Sequence, residues 1–268
     1  MKLGMVIDLS RCVGCGACAF ACKTENNTRN RNTEKGQSHN WADFLMHSEG
    51  TFPNTVHMVL PVLCNHCDEP PCIKICPGNP EKAGKGKPYK ALFKTAEGIT
   101  LHNPELCVGC GDCQTKKGCP YSHEKLDAKS LTGETYSVIS LNPAQDEPQP
   151  FWADKTSAIP GCTSSGAEVS AKAGTRIPAM NAWMGGETQS IRSDDVIEKC
   201  TFCYHRVTNG LQPACVEVCP SQARIFGDQQ DPNSKISQIL KKEKSFRLQE
   251  DKKTKPNVHY VGKYSPRA

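Results

Sequence analysis

Apolar residues in this chain come in short bursts instead of long periodic stretches. Leu3 to Leu9 is nearly continuous in apolar character and predicts a strand, and Ala17 to Thr24 predicts a short helix. Residues 25–55 read as a polar, turn-rich excursion marked by Asn26, Asn27, Asn30, Asn32, Asn40, Gly36 and Gly50. Trp41, Phe44, Leu45 and Met46 form its small apolar anchor, with Trp41 read as a packing residue. Val56 to Val62 predicts a second strand, and Gly78 to Lys90 a Gly- and Lys-bearing loop. Glu97 to His102 predicts a turn and strand. Residues 121–195 form a Ser-, Thr-, Gly-, Pro- and Ala-rich insertion with one strand candidate at Tyr136 to Leu141. Lys235 to Leu240 predicts a short amphipathic helix, and Val258 to Val261 a last strand. The expected class is α+β and loop-rich.

The loops carry the chemistry. Of 17 cysteines, 16 fall into four groups: 12/15/18/22, 64/67/72/76, 107/110/113/119 and 200/203/215/219. The first run is Cys12-Val13-Gly14-Cys15-Gly16-Ala17-Cys18 followed by Cys22, spaced x2, x2 and x3, an iron–sulfur signature. Gly14 and Gly16 allow the tight turns that bring backbone close to inorganic sulfide. Cys107-Val108-Gly109-Cys110-Gly111-Asp112-Cys113 repeats it, which points to internal duplication. The repeat's fourth thiol, Cys119, arrives after five residues instead of three and is the least secure member. The second and fourth groups are spaced x2, x4, x3 and x2, x11, x3, and both end in Cys-Pro (Cys76-Pro77 and Cys219-Pro220). His66 sits between two ligands and is read as a polar loop residue or a donor to sulfur, since cysteines already fill the ligand count. Cys162 stands apart, with no basic neighbour in sequence, and reads as an inert thiol.

Two rival uses of the thiols are weaker. Cysteines two or three residues apart make poor long-range disulfide staples, and zinc ribbons need only paired hooks, whereas two groups here offer three successive thiols plus a fourth. At 37% hydrophobic and 6% aromatic, the 268 residues have a modest core, so metal binding is expected to supply part of the folding free energy. A net charge of +5 reads as partial compensation for anionic clusters, with no nucleic-acid partner implied. No stretch approaches the roughly 20 apolar residues of a membrane span. Met1 leads at once into the first strand and ligand, so no cleavable leader is expected.

In two-cluster ferredoxins the fourth cysteine of each run ligates the other cluster. The gap from Cys76 to Cys107 is the shortest between groups, so groups two and three form one half, and groups one and four the other. Four 4Fe-4S sites follow. Site a has Cys12, Cys15, Cys18 and Cys219; site b has Cys22, Cys200, Cys203 and Cys215. Site c has Cys64, Cys67, Cys72 and Cys119, with a 3Fe-4S cluster as its alternative; site d has Cys76, Cys107, Cys110 and Cys113. The expected organisation is two ferredoxin-like two-cluster halves, 1–27 with 196–228 and 60–125. Insertions at 28–59 and 126–195 interrupt them, the second a candidate partner contact through Trp152 and Trp183, and 229–268 is an extension.

Such a chain passes single electrons. No dinucleotide fingerprint, P-loop or placed acid–base pair accompanies the cysteines, so no catalytic residue is assigned. Val13, Ile73, Ile75, Val108, Val216 and Val218 are expected to line the clusters and exclude water. Arg11, Lys23, Lys74, Lys199 and Arg206 are candidate cations for raising potentials. Lysines 241, 242, 244, 252, 253 and 255 read as a solvated face.

Leu63-Cys64-Asn65-His66-Cys67 with Pro70-Pro71-Cys72, and Lys199-Cys200-Thr201-Phe202-Cys203 with Pro213-Ala214-Cys215, resemble the four-cluster subunits of molybdopterin oxidoreductases, the dimethyl sulfoxide reductase family. Leu3 to Leu9, Cys22 to Thr28, Glu49-Gly50-Thr51-Phe52-Pro53 and Cys219-Pro220-Ser221-Gln222-Ala223-Arg224 look most like respiratory arsenate reductase small subunits. Thiosulfate, polysulfide and tetrathionate reductase subunits are close seconds. The resemblance implies a large catalytic subunit carrying a molybdenum or tungsten bis-pterin, a membrane quinone subunit or cytochrome, and the same cluster pairing. It also implies a periplasmic location by export alongside the catalytic partner, with the cytoplasmic membrane face as the alternative. A free-standing polyferredoxin or hydrogenase-associated subunit is the other functional reading.

Overall fold

A computed structural model of the chain describes residues 1–26, 28, 41–115, 118–122, 137–142, 164–174 and 195–263. The fold is mixed α and β, with small sheets and short helices. Strand β1 (Leu3–Asp8) is the centre of a three-stranded sheet, flanked by β8 (Arg224–Asp228) and β9 (Val258–Val261). It runs antiparallel to β8, from Leu3↔Asp228 to Ile7↔Arg224, and parallel to β9, from Met5↔Val258 to Asp8↔Val261. A central strand covered on both faces must be apolar at successive positions, which accounts for the unbroken Leu3–Ile7 run. Met5, Ile7 and Leu9 face a core containing Trp41, Ile99, Phe202, Phe226 and Tyr260, whereas Val6 faces Ile225, Ile236 and Val261. The alternation is the two-residue period of a strand. Gly4 is required because a Cβ there would lie 2.8 Å from the Asn257 carbonyl oxygen.

Helix α1 (Ala17–Glu25) leaves the first cysteine loop as expected. The strand expected at Val56 to Val62 is present, but residues 42–51 depart from the sequence reading. The expected polar excursion is in part strand β2 (Ala42–Thr51), paired residue by residue with β3 (Asn54–Leu63) in a long antiparallel hairpin from Ala42↔Leu63 to Thr51↔Asn54. Its tip is solvated, with Phe52 91% exposed, so the outer half has no burial pattern to betray a strand. Trp41 packs as read: it is buried, and its Nε1 donates to Glu198 Oε2 at 3.2 Å.

Helices α2 (Pro71–Ile75) and α3 (Pro80–Ala83) precede the small hairpin of β4 (Leu92–Lys94) and β5 (Thr100–His102). Strand β6 (Ile139–Asn142) pairs with β7 (Val196–Lys199) across the insertion, which carries α4 (Gly166–Lys172) behind a Ser165/Glu168 capping box. Cys162, Trp152 and Trp183 lie outside the described residues. Helices α5 (Tyr204–Val207) and α6 (Ala214–Glu217) hold the fourth cysteine group. Helix α7 (Lys235–Lys242), capped by Ser234, buries Ile236 and packs Ile239 and Leu240 against β8 and β9. The C-terminal lysines are exposed, as the solvated-face reading requires. Among the described residues, no helix is long and apolar enough to cross a membrane.

Candidate metal centres

All 16 cysteines of the four groups are described, and no disulfide joins any two of them. Their neighbours cross the chain. Cys12 lies near Cys18 and Cys219, and Cys22 near Cys200, Cys203 and Cys215. Cys119 is buried among Cys72, Cys64 and Cys67, and Cys113 lies near Cys107, Cys110 and Cys76. The longer spacer before Cys119 therefore does not keep that thiol from its quartet. Gly118 makes the return possible, because a Cβ there would lie 2.4 Å from the Cys113 carbonyl oxygen.

Two quartets border open cavities. Cys12, Cys15, Cys18 and Cys219 line one of about 420 Å³, counting its mouth, together with Phe44 and Val59. Cys76, Cys107, Cys110 and Cys113 line another of about 360 Å³ with Leu92 and Ile197. Among the described residues, no three His, Cys, Asp or Glu side chains converge on a single ion, the geometry a zinc ribbon needs. Thiols spread around an apolar hollow fit a multi-iron cluster.

The glycine turns repeat in three dimensions. Gly14 and Gly16 have φ of 69° and 74°, and Gly109 and Gly111 have 66° and 71°. In the other two groups the residue before the second cysteine takes the left-handed conformation without being glycine: His66 (φ 44°) and Phe202 (φ 54°). These two rings stack on each other at 3.7 Å. His66 is a loop residue, as read, but it is sealed from solvent. It is fully buried, its Nδ1 accepts from the Thr100 N–H at 3.1 Å, and its Nε2 has no hydrogen-bond partner. Burial, then Lys199 and Lys94, hold it well below the usual imidazole range, so it stays neutral.

Electrostatics favour a cationic occupant. Burial pushes the Cys67 and Cys203 thiols up to about 11 and Cys72 up to about 12, and neighbouring sulfurs add to the effect. Thiolate is the ligand form, so only a bound cation makes so many buried thiolates tolerable together. Cys219 is the exception: burial opposes its ionisation, but amides of Arg224, Ala223 and Ser221 aimed at the sulfur hold it below the usual thiol value. The Ala223 N–H reaches Cys219 Sγ at 3.2 Å, Phe202 N–H reaches Cys200 Sγ at 3.4 Å, and Ile197 N–H reaches Cys107 Sγ at 3.5 Å. Buried Asn26 donates to Cys22 Sγ at 3.6 Å and lies 4.0 Å from Cys203 Sγ. Hydrogen bonds of this kind set cluster potentials.

Several expected roles shift. Val13, Val108 and Val218 are 56%, 50% and 42% exposed, so they do not exclude water within this chain, whereas Ile73, Ile75 and Val216 pack against the cores. Arg11 and Lys74 are at the surface, and Arg206 is taken up by ion pairs to Glu25 and Glu217. Lys199 alone of the five candidates is fully buried, donating to the Thr100 and Cys200 carbonyls. Arg224, a cation that the spacing of the motifs does not single out, is also buried.

Comparison with known proteins places this arrangement. A 4Fe-4S dicluster domain matches residues 55–136 and 188–229, and a 4Fe-4S binding domain matches 3–24. The chain is 40% identical to the arsenate respiratory reductase iron-sulfur subunit ArrB of Shewanella sp. (strain ANA-3), over 97% of this chain and 96% of that protein. It is 32% identical to a putative dimethyl sulfoxide reductase iron-sulfur subunit of Halobacterium salinarum, over 98% and 80%. It is 29% identical to a tetrathionate reductase subunit of Salmonella typhimurium, over 97% and 72%. The chain belongs to the iron–sulfur subunits of the dimethyl sulfoxide reductase family. As such a subunit it relays electrons in respiration and carries four 4Fe-4S clusters. Members of the family are parts of multi-subunit reductases.

Proposed function

We propose that the sixteen thiols hold the clusters in crossed sets: Cys12, Cys15, Cys18 and Cys219 at site a; Cys22, Cys200, Cys203 and Cys215 at site b. Cys64, Cys67, Cys72 and Cys119 hold site c, and Cys76, Cys107, Cys110 and Cys113 hold site d. Bound there, the clusters supply one-electron transfer. The observation carrying this reading is the order of sulfur neighbours. Besides the groupings above, Cys18 lies near Cys215, Cys200 near Cys64, and Cys72 near Cys113. These three junctions support the order a, b, c, d for the sites. They also pair equivalent positions of the repeated motifs, which supports two duplicated halves, 1–27 with 196–228 and 60–125, meeting at the His66–Phe202 stack. Residues 28–59 and 126–195 are then insertions, and 229–268 adds α7 and β9 to the first half.

The chain would serve as the relay between a molybdenum or tungsten bis-pterin catalytic subunit and a quinone-linked membrane subunit or cytochrome. Similarity to arsenate, dimethyl sulfoxide and tetrathionate reductase subunits supports arsenate- or sulfur-oxyanion-type respiration, with arsenate favoured by the 40% relative. Export beside a catalytic partner would place it in the periplasm. Anaerobic co-purification tests this directly. A large pterin-bearing partner and iron near the roughly sixteen atoms of four cubanes support it, and a stable monomer reducing several soluble proteins points instead to a polyferredoxin. Iron short by one atom would put the three-iron form at the Cys119 site.

A further inference from the structure

Arg224 is 3% exposed and sits at the start of β8, beside the first cavity, where it is one of the lining residues. Its Nη1 points at Cys215 Sγ, 3.8 Å away, and at Met5 Sδ, 3.6 Å away. Cys18 lines the same cavity and interacts electrostatically with the guanidinium. Nη2 is buried and has no hydrogen-bond partner. Cys18 belongs to site a and Cys215 to site b, so one permanently charged fork touches the walls of both. Its side chain meets sulfur, and among the described residues no carboxylate forms a salt bridge with it.

A buried cation with one end left free is costly unless something anionic completes its shell. The planar, multi-donor guanidinium suits two acceptors at once, which an ammonium cannot match. The repeat has no counterpart: the strand after Cys219 opens on Arg224, and the strand after Cys76, β4, opens on Leu92. The feature therefore belongs to one half of the duplicated fold.

We propose that Arg224 is a potential-setting residue shared by sites a and b, donating to the anionic centres of both and raising their midpoint potentials together. This rests on the crossed ligand sets proposed above. One-electron reduction adds a negative charge at the accepting site, and a fixed cation between two such sites favours that form at each. The same charge weakens repulsion between neighbouring reduced sites, letting both hold electrons.

The test is an anaerobic redox titration, read by electron paramagnetic resonance, of the cluster-loaded complex carrying Arg224→Gln or Arg224→Lys. In Arg224→Gln the potentials of a and b are expected to fall by at least the 59 mV that a tenfold change in a one-electron equilibrium represents, with c and d unmoved. Arg224→Lys keeps the charge but cannot span both sites, so it should restore one potential more than the other. If Gln loses iron, the Lys variant decides alone. Unchanged potentials, a shift confined to one site in Gln, or an equal shift of all four overturn the proposal. Cys215→Ala in the same complex checks the underlying reading separately: if it leaves four intact cubanes, the ligand assignment fails, whatever Arg224 does.

Discussion

Crossing of the ligands can be tested by pairs of substitutions. Cys22 belongs to the first motif in sequence but lies among Cys200, Cys203 and Cys215. Replacing Cys22 and Cys200 together by alanine should therefore damage one site, leaving three intact cubanes. Replacing Cys22 and Cys12 should damage two, leaving two. The stability change can be worked from the chain path. Joining residue 22 to residue 200 closes a loop of roughly 180 residues, worth about 5 kcal/mol by the chain-entropy argument for cross-links. While Cys18 and Cys219 remain joined, the added loop is only roughly 23 residues, so losing site b alone should cost about 3 kcal/mol. Mössbauer or paramagnetic resonance counting of intact cubanes, with anaerobic urea unfolding of the same samples, supplies both numbers. Three cubanes in Cys22→Ala/Cys12→Ala and two in Cys22→Ala/Cys200→Ala would show that each motif keeps its own fourth thiol, and the crossed sets would be wrong.

Other expectations follow from single contacts. Lys199→Met leaves the buried Thr100 and Cys200 carbonyls without their donor, at about 1–3 kcal/mol each, which a lowered urea midpoint should report. Gly109→Ala forces a Cβ to 2.5 Å from the Asp195 carbonyl oxygen at φ +66°, whereas Gly111→Ala at φ +71° meets open space. The second should cost only the ~1–2 kcal/mol of left-handed strain and the first clearly more, read as iron retention in a urea series. His259 is buried, with Nε2 donating to Gln229 Oε1 at 3.0 Å; burial, then Arg247 and Lys2, lower its pKa from 6.5 to about 4. A depressed folded value means stability is full above pH 6.5 and is lost as pH falls towards 4, on the order of 3 kcal/mol in all. His259→Gln should flatten that part of the profile.

The first strand, the helix after it, β3, β5, α7 and β9 were legible because each carries a continuous apolar run or an apolar face. The cysteine groups were legible because metal ligation imposes spacing directly on sequence. β2 was hidden, since its outer half is solvated and its pairing with β3 is a property of the fold. β8 escaped because Arg224-Ile225-Phe226-Gly227-Asp228 mixes a buried cation and a glycine with only two large apolar residues. The burial of His66 was hidden for a related reason. Its surroundings in sequence are polar, and nothing local says that Phe202, far along the chain, will cover its face. The same blindness affected the cations. Lys199 and Arg206 look alike in sequence, but one is sealed inside and the other is spent on Glu25 and Glu217.

With the crossed ligand sets proposed above, burial also predicts the ends of the relay. Cys15 at site a and Cys110 at site d are the two exposed thiols among the sixteen, each near an exposed valine, Val13 and Val108, whereas the cysteines of sites b and c are all buried. Tunnelling weakens steeply with distance, so electrons should enter and leave at a and d, and the interior pair should exchange only with neighbours. The same geometry governs attack from solvent. Brief treatment of the isolated, cluster-loaded chain with ferricyanide should remove or convert clusters a and d first, leaving the resonance signals of b and c until the fold opens. Docking partners over the two ends should slow that loss without altering the interior pair. Simultaneous decay of all four signals, or earlier decay of b or c, would mean that solvent reaches the centre of the chain. The two-ended relay would then have no structural basis.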